Sequence, residues 1–224
     1  MNNLIVNFNN KYELLMKYAT DINNVIYNTP NLKHIEGNYF TFTNDENINK
    51  FIIHKQINIF NLGYSNDIKY ICEIGFNAGH SAMLMLLGRN KSPIVFTIFD
   101  INHHVYTKPT FEYIKNEFNH INFEFIEGNS IITMPEWINK YSNRVGIYDL
   151  IHVDGGHTKE CIENDMKNAS ILIKTNGIIV IDDTNDYNIN KCVDDYLATG
   201  KYVEIFLLPM GACNYQHRII KKMI

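Results

Sequence analysis

The stretch Ile71-Cys72-Glu73-Ile74-Gly75-Phe76-Asn77-Ala78-Gly79-His80-Ser81 constrains the fold most. An apolar run carries an acid near its end, two glycines follow, and a helical pattern begins. A strand, a tight loop and a helix whose N-terminus faces a ligand have this order. Taken alone, the stretch equally describes a plain strand–turn–helix junction. The pattern downstream separates the two readings.

Apolar runs suited to strands recur over 68–74, 94–99, 121–126, 148–153, 177–181, 202–208 and 215–221. Between them lie helical patterns over 79–87, 110–118 (with Lys108-Pro109 at its start), from Gly128-Asn129-Ser130 to about Lys140, 159–173 and 189–197. This alternation predicts an α/β fold, a mostly parallel seven-stranded sheet with helices on both faces. Only a short turn region around Gly211 separates the last two strands, so one of them is expected to run antiparallel. Upstream, Tyr12, Leu14, Leu15, Tyr18, Ile22 and Ile26 have helical spacing, and Pro30 ends that helix. Glu36-Gly37 opens an irregular or extended piece through Phe42. Thr43 or Asn44 is placed to cap a helix over 45–60 carrying Ile48, Phe51, Ile52 and Ile57. The expectation is a single domain over 1–224, with 1–67 an N-terminal helical cover and 68–224 the α/β core.

Hydrophobic residues make up 46% and charged residues 20% of the 224, enough for a full core. The net charge of −4 comes without a dense Lys/Arg block, so nucleic acid is not an expected partner. No stretch approaches the ~18 apolar residues of a membrane span. Cys72, Cys161, Cys192 and Cys213 are far apart and form no CxxC pair, which points to free thiols in a reducing, cytoplasmic setting.

In an open parallel sheet, ligands bind beyond the carboxyl ends of the strands. Glu73, Asp100, Asp154 and Asp182-Asp183 all fall there. Gly75 and Gly79 permit a tight turn and a close ligand approach. No Lys-Ser/Thr pair follows the glycines, and Glu73 would repel a phosphate, so a nucleoside triphosphate is disfavoured. A ligand with an ammonium, a carboxylate and a ribose suits the loop better. The Ser81 hydroxyl and the helix N-terminus are placed to hold its carboxylate, and Asp100 to accept both ribose hydroxyls. Asn129 and Ser130 suit an adenine edge and a helix cap equally.

Asp154-Gly155-Gly156-His157 and Asp182-Asp183 carry the sharpest chemistry. Three carboxylates at neighbouring strand ends repel one another, and a hard cation offsets that repulsion. All-oxygen ligands point to magnesium, manganese or calcium and away from zinc. His157 is then placed as general base on a substrate hydroxyl. His103-His104 and His120 read as surface loop residues, with His103 near enough to Asp100 to line a cleft. His152 reads as buried, Trp137 as packing or a cleft wall, and Cys161 as a thiol without catalytic partners.

Over roughly residues 45–222 these motifs resemble class I S-adenosylmethionine-dependent methyltransferases with a Rossmann-like fold. The segment from Cys72 to Ala82 is similar to the first motif of the metal-dependent catechol-type O-methyltransferases. The resemblance implies a cofactor site formed by Glu73, Gly75, Phe76, Asn77, Gly79, Ser81, Asp100, Asn129, Ser130 and Asp154. It implies metal ligands at Asp154, Asp182 and Asp183, for Mg2+ or Mn2+. Catechol-type enzymes carry a Lys where this chain has His157. The segment is similar instead to the sugar O-methyltransferases of macrolide biosynthesis, where that His is the proposed base. The implied activity is O-methylation of a sugar or glycan hydroxyl, with His157 and Asp154 catalytic. A catechol or phenolic small-molecule acceptor is the alternative. A non-catalytic S-adenosylmethionine-binding subunit is the alternative of another class, but neither His157 nor any of the three aspartates is missing. An RNA or protein methyltransferase is a third. A helix around Lys55-Gln56 is expected to border the cofactor, and a homodimer is the candidate assembly.

Overall fold

The computed structural model describes residues 2–36, 40, 46–64, 67–87, 94–210 and 216–224. Three helices come first: α1 (Asn2–Asn9), α2 (Tyr12–Tyr27) and α3 (Glu46–Gly63). Then β1 (Tyr70–Ile74), α4 (His80–Leu87), β2 (Val95–Asp100), α5 (Thr107–Glu117), β3 (Asn122–Glu127) and α6 (Ser130–Lys140) follow. After a short 3-10 turn come β4 (Tyr148–Val153), α7 (Lys159–Leu172), β5 (Ile173–Ile181), α8 (Tyr187–Ala198), β6 (Tyr202–Glu204) and β7 (Arg218–Lys222).

The seven strands form one sheet in the order β3-β2-β1-β4-β5-β7-β6. Neighbours from β3 to β5 are parallel, and β7 is antiparallel to both β5 and β6. The order reverses beside β1, between β2 and β4, which makes the carboxyl ends of β1 and β4 the expected ligand crevice.

Side chains alternate between the two faces as strand geometry requires. Ile71, Phe96, Ile98, Leu150 and Val180 pack on one side with α1–α5, through Phe8, Leu15, Phe60, Leu84 and Ile114. Cys72, Ile74, Phe99, Ile151 and Ile179 pack on the other with α6–α8, through Met134, Ile162, Met166 and Val193. Helix α4 is buried along its whole length, because α3 covers the face that the sheet does not.

The structure departs from the sequence reading at several points. Helix α1 was not anticipated; its eight residues include four Asn and lack an acidic start or basic end. Helix α5 begins at Thr107, so Pro109 sits in its first turn, where a missing N–H costs nothing. Strand β5 starts at Ile173 and passes Gly177 through a register shift beside Asn176, which adopts φ 66°. Strand β6 stops at Glu204 rather than 208. Asn58 takes the backbone of Leu208 instead, accepting from its N–H at 2.9 Å and donating to its carbonyl at 3.0 Å. The proposed caps Thr43 and Asn44, the piece from Gly37 to Phe42 apart from Phe40, the side chain of Ile48, the start of the last expected strand at Tyr215, and Gly211 and Cys213 lie outside the described residues. Among the described residues no helix is long and apolar enough to cross a membrane.

Asp165 on α7 is a fully buried acid. A side chain at Gly155 would meet its carboxylate. Burial pushes its carboxyl up to about 6, and the Ser130 hydroxyl offsets only part of that. The folded protein therefore holds this proton more tightly than the unfolded chain does. The resulting stability is complete below the unfolded pKa of about 3.8 and is lost as pH rises through about 6. Asp165→Asn, which mimics the protonated acid, is expected to raise stability at pH 7 by about 2–3 kcal/mol and to match the wild type near pH 4. Urea unfolding at the two pH values checks this; equal stability at pH 7 would mean that the charged carboxylate is satisfied where it lies.

Candidate active site

A cavity of about 390 Å³ opens at the carboxyl ends of β1, β2 and β4. Backbone hydrogen bonds carry the sheet ladder past the strand ends and fix the residues around it. The N–H of Gly75 donates to Phe99, that of Asp154 to Ile74, that of Gly128 to Asp100, and that of Asp182 to Val153, all at 2.8–2.9 Å.

Asp100 anchors the loop after β1. Its Oδ2 accepts from the N–H groups of Phe76 at 2.7 Å and Asn77 at 2.9 Å, and its Oδ1 from Asn102 at 2.6 Å. A carboxylate has about four lone-pair sites. Three are used, two by this loop and one by Asn102, so one hydrogen bond remains for a ligand hydroxyl. Asn129 caps α6 by accepting from Ile131 at 3.0 Å. It also lines the cavity, as do Gly75, Asn77, Asp100, Ser130, Asp154 and His157.

Four residues expected at the cofactor do not line this cavity. Phe76 is buried edge-on against Phe111 and Phe125. Gly79, at φ +79°, turns the chain where a side chain would collide with Phe76 and Ile114. Ser81 donates to Glu73 Oε1 at 2.5 Å, and the same oxygen lies 3.0 Å from His152 Nδ1. Glu73 and His152 are register partners on β1 and β4 and are fully buried. Burial lowers the His152 pKa, but Glu73 and the nearby Asp154 more than reverse this, so it is raised. Glu73 and Ser81 thus form a buried polar support beneath the loop, because the β1 alternation points Glu73 under α4 rather than towards the cavity. A Cβ at Gly75 would overlap the Asp154 carbonyl, so this cavity-lining glycine also lets two loops touch.

The acidic residues do converge. Ligand atoms of Asp154, His157 and Asp183 lie within 4.8 Å of one another, as do those of His152, Asp154 and Asp182. Asp183 adopts φ 52°, and its Oδ2 is 2.9 Å from His157 Nε2. That contact raises the His157 pKa against the opposing effect of burial. Lys55, from α3, reaches Asp182 Oδ1 at 2.6 Å, and both side chains are buried. Burial pushes Asp182 up, but Lys55 and then His152 outweigh it and hold the carboxyl at about 2. Asp154 goes the other way. Burial, then the charge of Asp182, raises it well above the carboxylate range, despite His152 and Lys55. One of the two neighbouring acids therefore resists ionisation unless more positive charge arrives. Asp154 with Asp182, and Asp154 with Asp183, are the carboxylate pairs that could hold a hard divalent ion such as magnesium or manganese.

A family described as "Methyltransferase domain" matches residues 72–184, from the middle of β1 to just past Asp183. The chain belongs to this methyltransferase family. No curated protein matches its sequence. The methyltransferase fold agrees with solved structures despite low identity. An O-methyltransferase from Bacillus cereus, solved with SAH, aligns at TM-score 0.61 and 15% identity, over 95% of this chain and 91% of that one. CalS11, described as a TDP-rhamnose 3'-O-methyltransferase of calicheamicin biosynthesis, aligns at TM-score 0.59 and 13% identity, over 92% and 93%.

Some residues of the methyltransferase site escaped the sequence reading. Lys55 was expected beside the cofactor, yet it meets the acids. Glu36 and His104 join His103 in lining the cavity, with His104 stacked on Tyr106 and its Nε2 3.2 Å from Glu36. No local pattern marks any of these, since each depends on a contact between distant segments. Cys161 lines the cavity as a free thiol, while Trp137 packs against Phe99.

Proposed function

We propose that this protein is an S-adenosylmethionine-dependent, divalent-metal-dependent O-methyltransferase acting on a hydroxyl of a sugar or glycan. The observation that carries the reading is a cluster of Asp154, His157, Asp182 and Asp183 around a small pocket, whose first two members also line the larger cavity that holds Asp100 and Asn129. The first group suits an ionising hydroxyl and the second an adenosyl group.

When bound, S-adenosylmethionine supplies a sulfonium methyl group and the divalent ion supplies charge that eases ionisation of the acceptor hydroxyl. The chain's own residues do the rest. Asp100 and the loop it fixes orient the donor, and proximity supplies much of the acceleration. Asp183 holds the proton of His157 on Nε2, which leaves the Nδ1 lone pair to take the acceptor's proton. Bound S-adenosylmethionine would supply its methyl group to the acceptor oxygen so activated, and the carbon–sulfur electron pair would stay on the departing thioether.

A second cavity of about 350 Å³ is the acceptor side in this reading; Asn58, Thr184 and His217 line it together with the apolar Ile205, Phe206, Leu207, Leu208 and Met210. Thr184 Oγ1 and His217 Nδ1 are buried there without a hydrogen-bond partner among the described residues. Buried orphan groups of this kind select ligands that can pair with them.

The test is methyl transfer from labelled S-adenosylmethionine to a panel of glycosides and catechols, with and without EDTA. Transfer to a glycoside is expected, lost in EDTA and restored by magnesium or manganese. Turnover that survives EDTA would remove the metal role. Transfer to catechols alone would remove the sugar. No calorimetric binding of S-adenosylhomocysteine would remove the cofactor.

A further inference from the structure

Lys55 belongs to the helical segment before the sheet, yet its ammonium lies inside the acidic centre. It is 2.6 Å from Asp182 Oδ1, with side-chain exposures of 8% and 3% for the two residues. Asp154 and Asp183 lie close enough to act on it electrostatically. A solvated surface lysine would not be held like this. Burying an ammonium costs several kcal/mol unless paired charge offsets it, so the position depends on the acids as much as they depend on it. The neighbouring elements bring two further titratable groups to the centre, His152 from β4 and His217 from the segment leading into β7. The Asn58 amide, one helical turn from Lys55, lies 3.0 Å from His217 Nε2 and braces that side.

We propose that Lys55 is a built-in countercation of this centre. It keeps Asp182 and Asp154 assembled when no metal is bound, and by like-charge repulsion it sets how tightly a divalent ion enters. The inference rests on the metal-dependent reading above and adds to it a residue from α3. Two cations drawn to one set of carboxylates repel each other, and the repulsion is strong because the site is buried. Lys55 therefore trades metal affinity for a centre that stays folded without metal. Removing its charge leaves the acids with excess negative charge, which a divalent ion would satisfy better.

The experiment uses the full chain stripped of metal with EDTA and then titrated with Mn2+ alone, read by calorimetry or by the spin-resonance signal of free Mn2+. Lys55→Met is expected to bind Mn2+ at least about tenfold more tightly than the wild type. Lys55→Arg, which keeps the charge, should stay within about threefold, and Asp182→Asn should weaken binding. In EDTA the thermal midpoint of Lys55→Met should fall, and Mn2+ should restore it. If Lys55→Met does not fold without metal, Lys55→Gln and purification in Mn2+ followed by a competing chelator give the same comparison. Unchanged or weaker Mn2+ binding by the charge-removing variants, with normal binding by the wild type, overturns the proposal and leaves the metal reading standing. Absence of Mn2+ binding by wild type and variants alike overturns the metal reading, and this proposal with it.

Discussion

Replacing His157 by alanine is expected to lower turnover by about 10²–10⁴-fold, the range for a lost general base, with S-adenosylhomocysteine affinity changed by less than about threefold. The expectation comes from where the ring sits. Its side chain is 60% exposed, so an acceptor can reach it, while Asp183 fixes one ring nitrogen at 2.9 Å. The loop after β1 is anchored by Asp100 and not by this ring. The substitution should therefore lower kcat and leave donor binding intact. Single-turnover rates with saturating donor, alongside calorimetry, separate the two effects. A fall in rate of less than about threefold would assign the proton to another group.

Asp100→Ala should act in the opposite sense, on binding and on stability together. The carboxylate accepts three backbone N–H groups, and those of Phe76 and Asn77 belong to the loop between β1 and α4. Each N–H left without an acceptor costs about 1–3 kcal/mol, so a loss of several kcal/mol in unfolding free energy is expected. S-adenosylhomocysteine affinity should fall by at least about tenfold, because the shape of the loop and, on the proposed reading, a ribose acceptor are lost. Asp100→Asn keeps an acceptor oxygen and should recover part of both. Urea unfolding and calorimetry on the same preparations test this. Weakened binding with full stability would mean that other contacts hold the loop.

The strands and the acids at their ends were legible because both obey local rules. An alternating or continuous apolar run ends where the sheet ends, and polar residues accumulate there. Asp154, Asp182 and Asp183 could be brought together on that basis alone. Lys55 could not be placed with them. Along α3 it is one charged residue in an amphipathic segment, and its partner just past β5 is set by how that helix crosses the sheet. Glu73 and Ser81 pair with each other for a related reason. Their types and spacing suit a ligand, but strand alternation turns Glu73 towards His152, a cross-strand partner invisible in the linear order. Asn129 was readable both as cap and as site residue, and the structure gives it the cap while leaving it on the cavity wall.

The contact between Gly75 and the Asp154 carbonyl has a consequence for how such a protein can change over time. The donor loop and the acid loop are pressed together so closely that neither can drift without the other. A new acceptor preference is hard to reach by altering either one. The segments free to vary are those that approach from outside, α3 away from Lys55 and residues 205–210 after β6, which form no part of that junction. The transfer chemistry is thereby insulated from diversification, and novelty in what is methylated has to enter from the periphery.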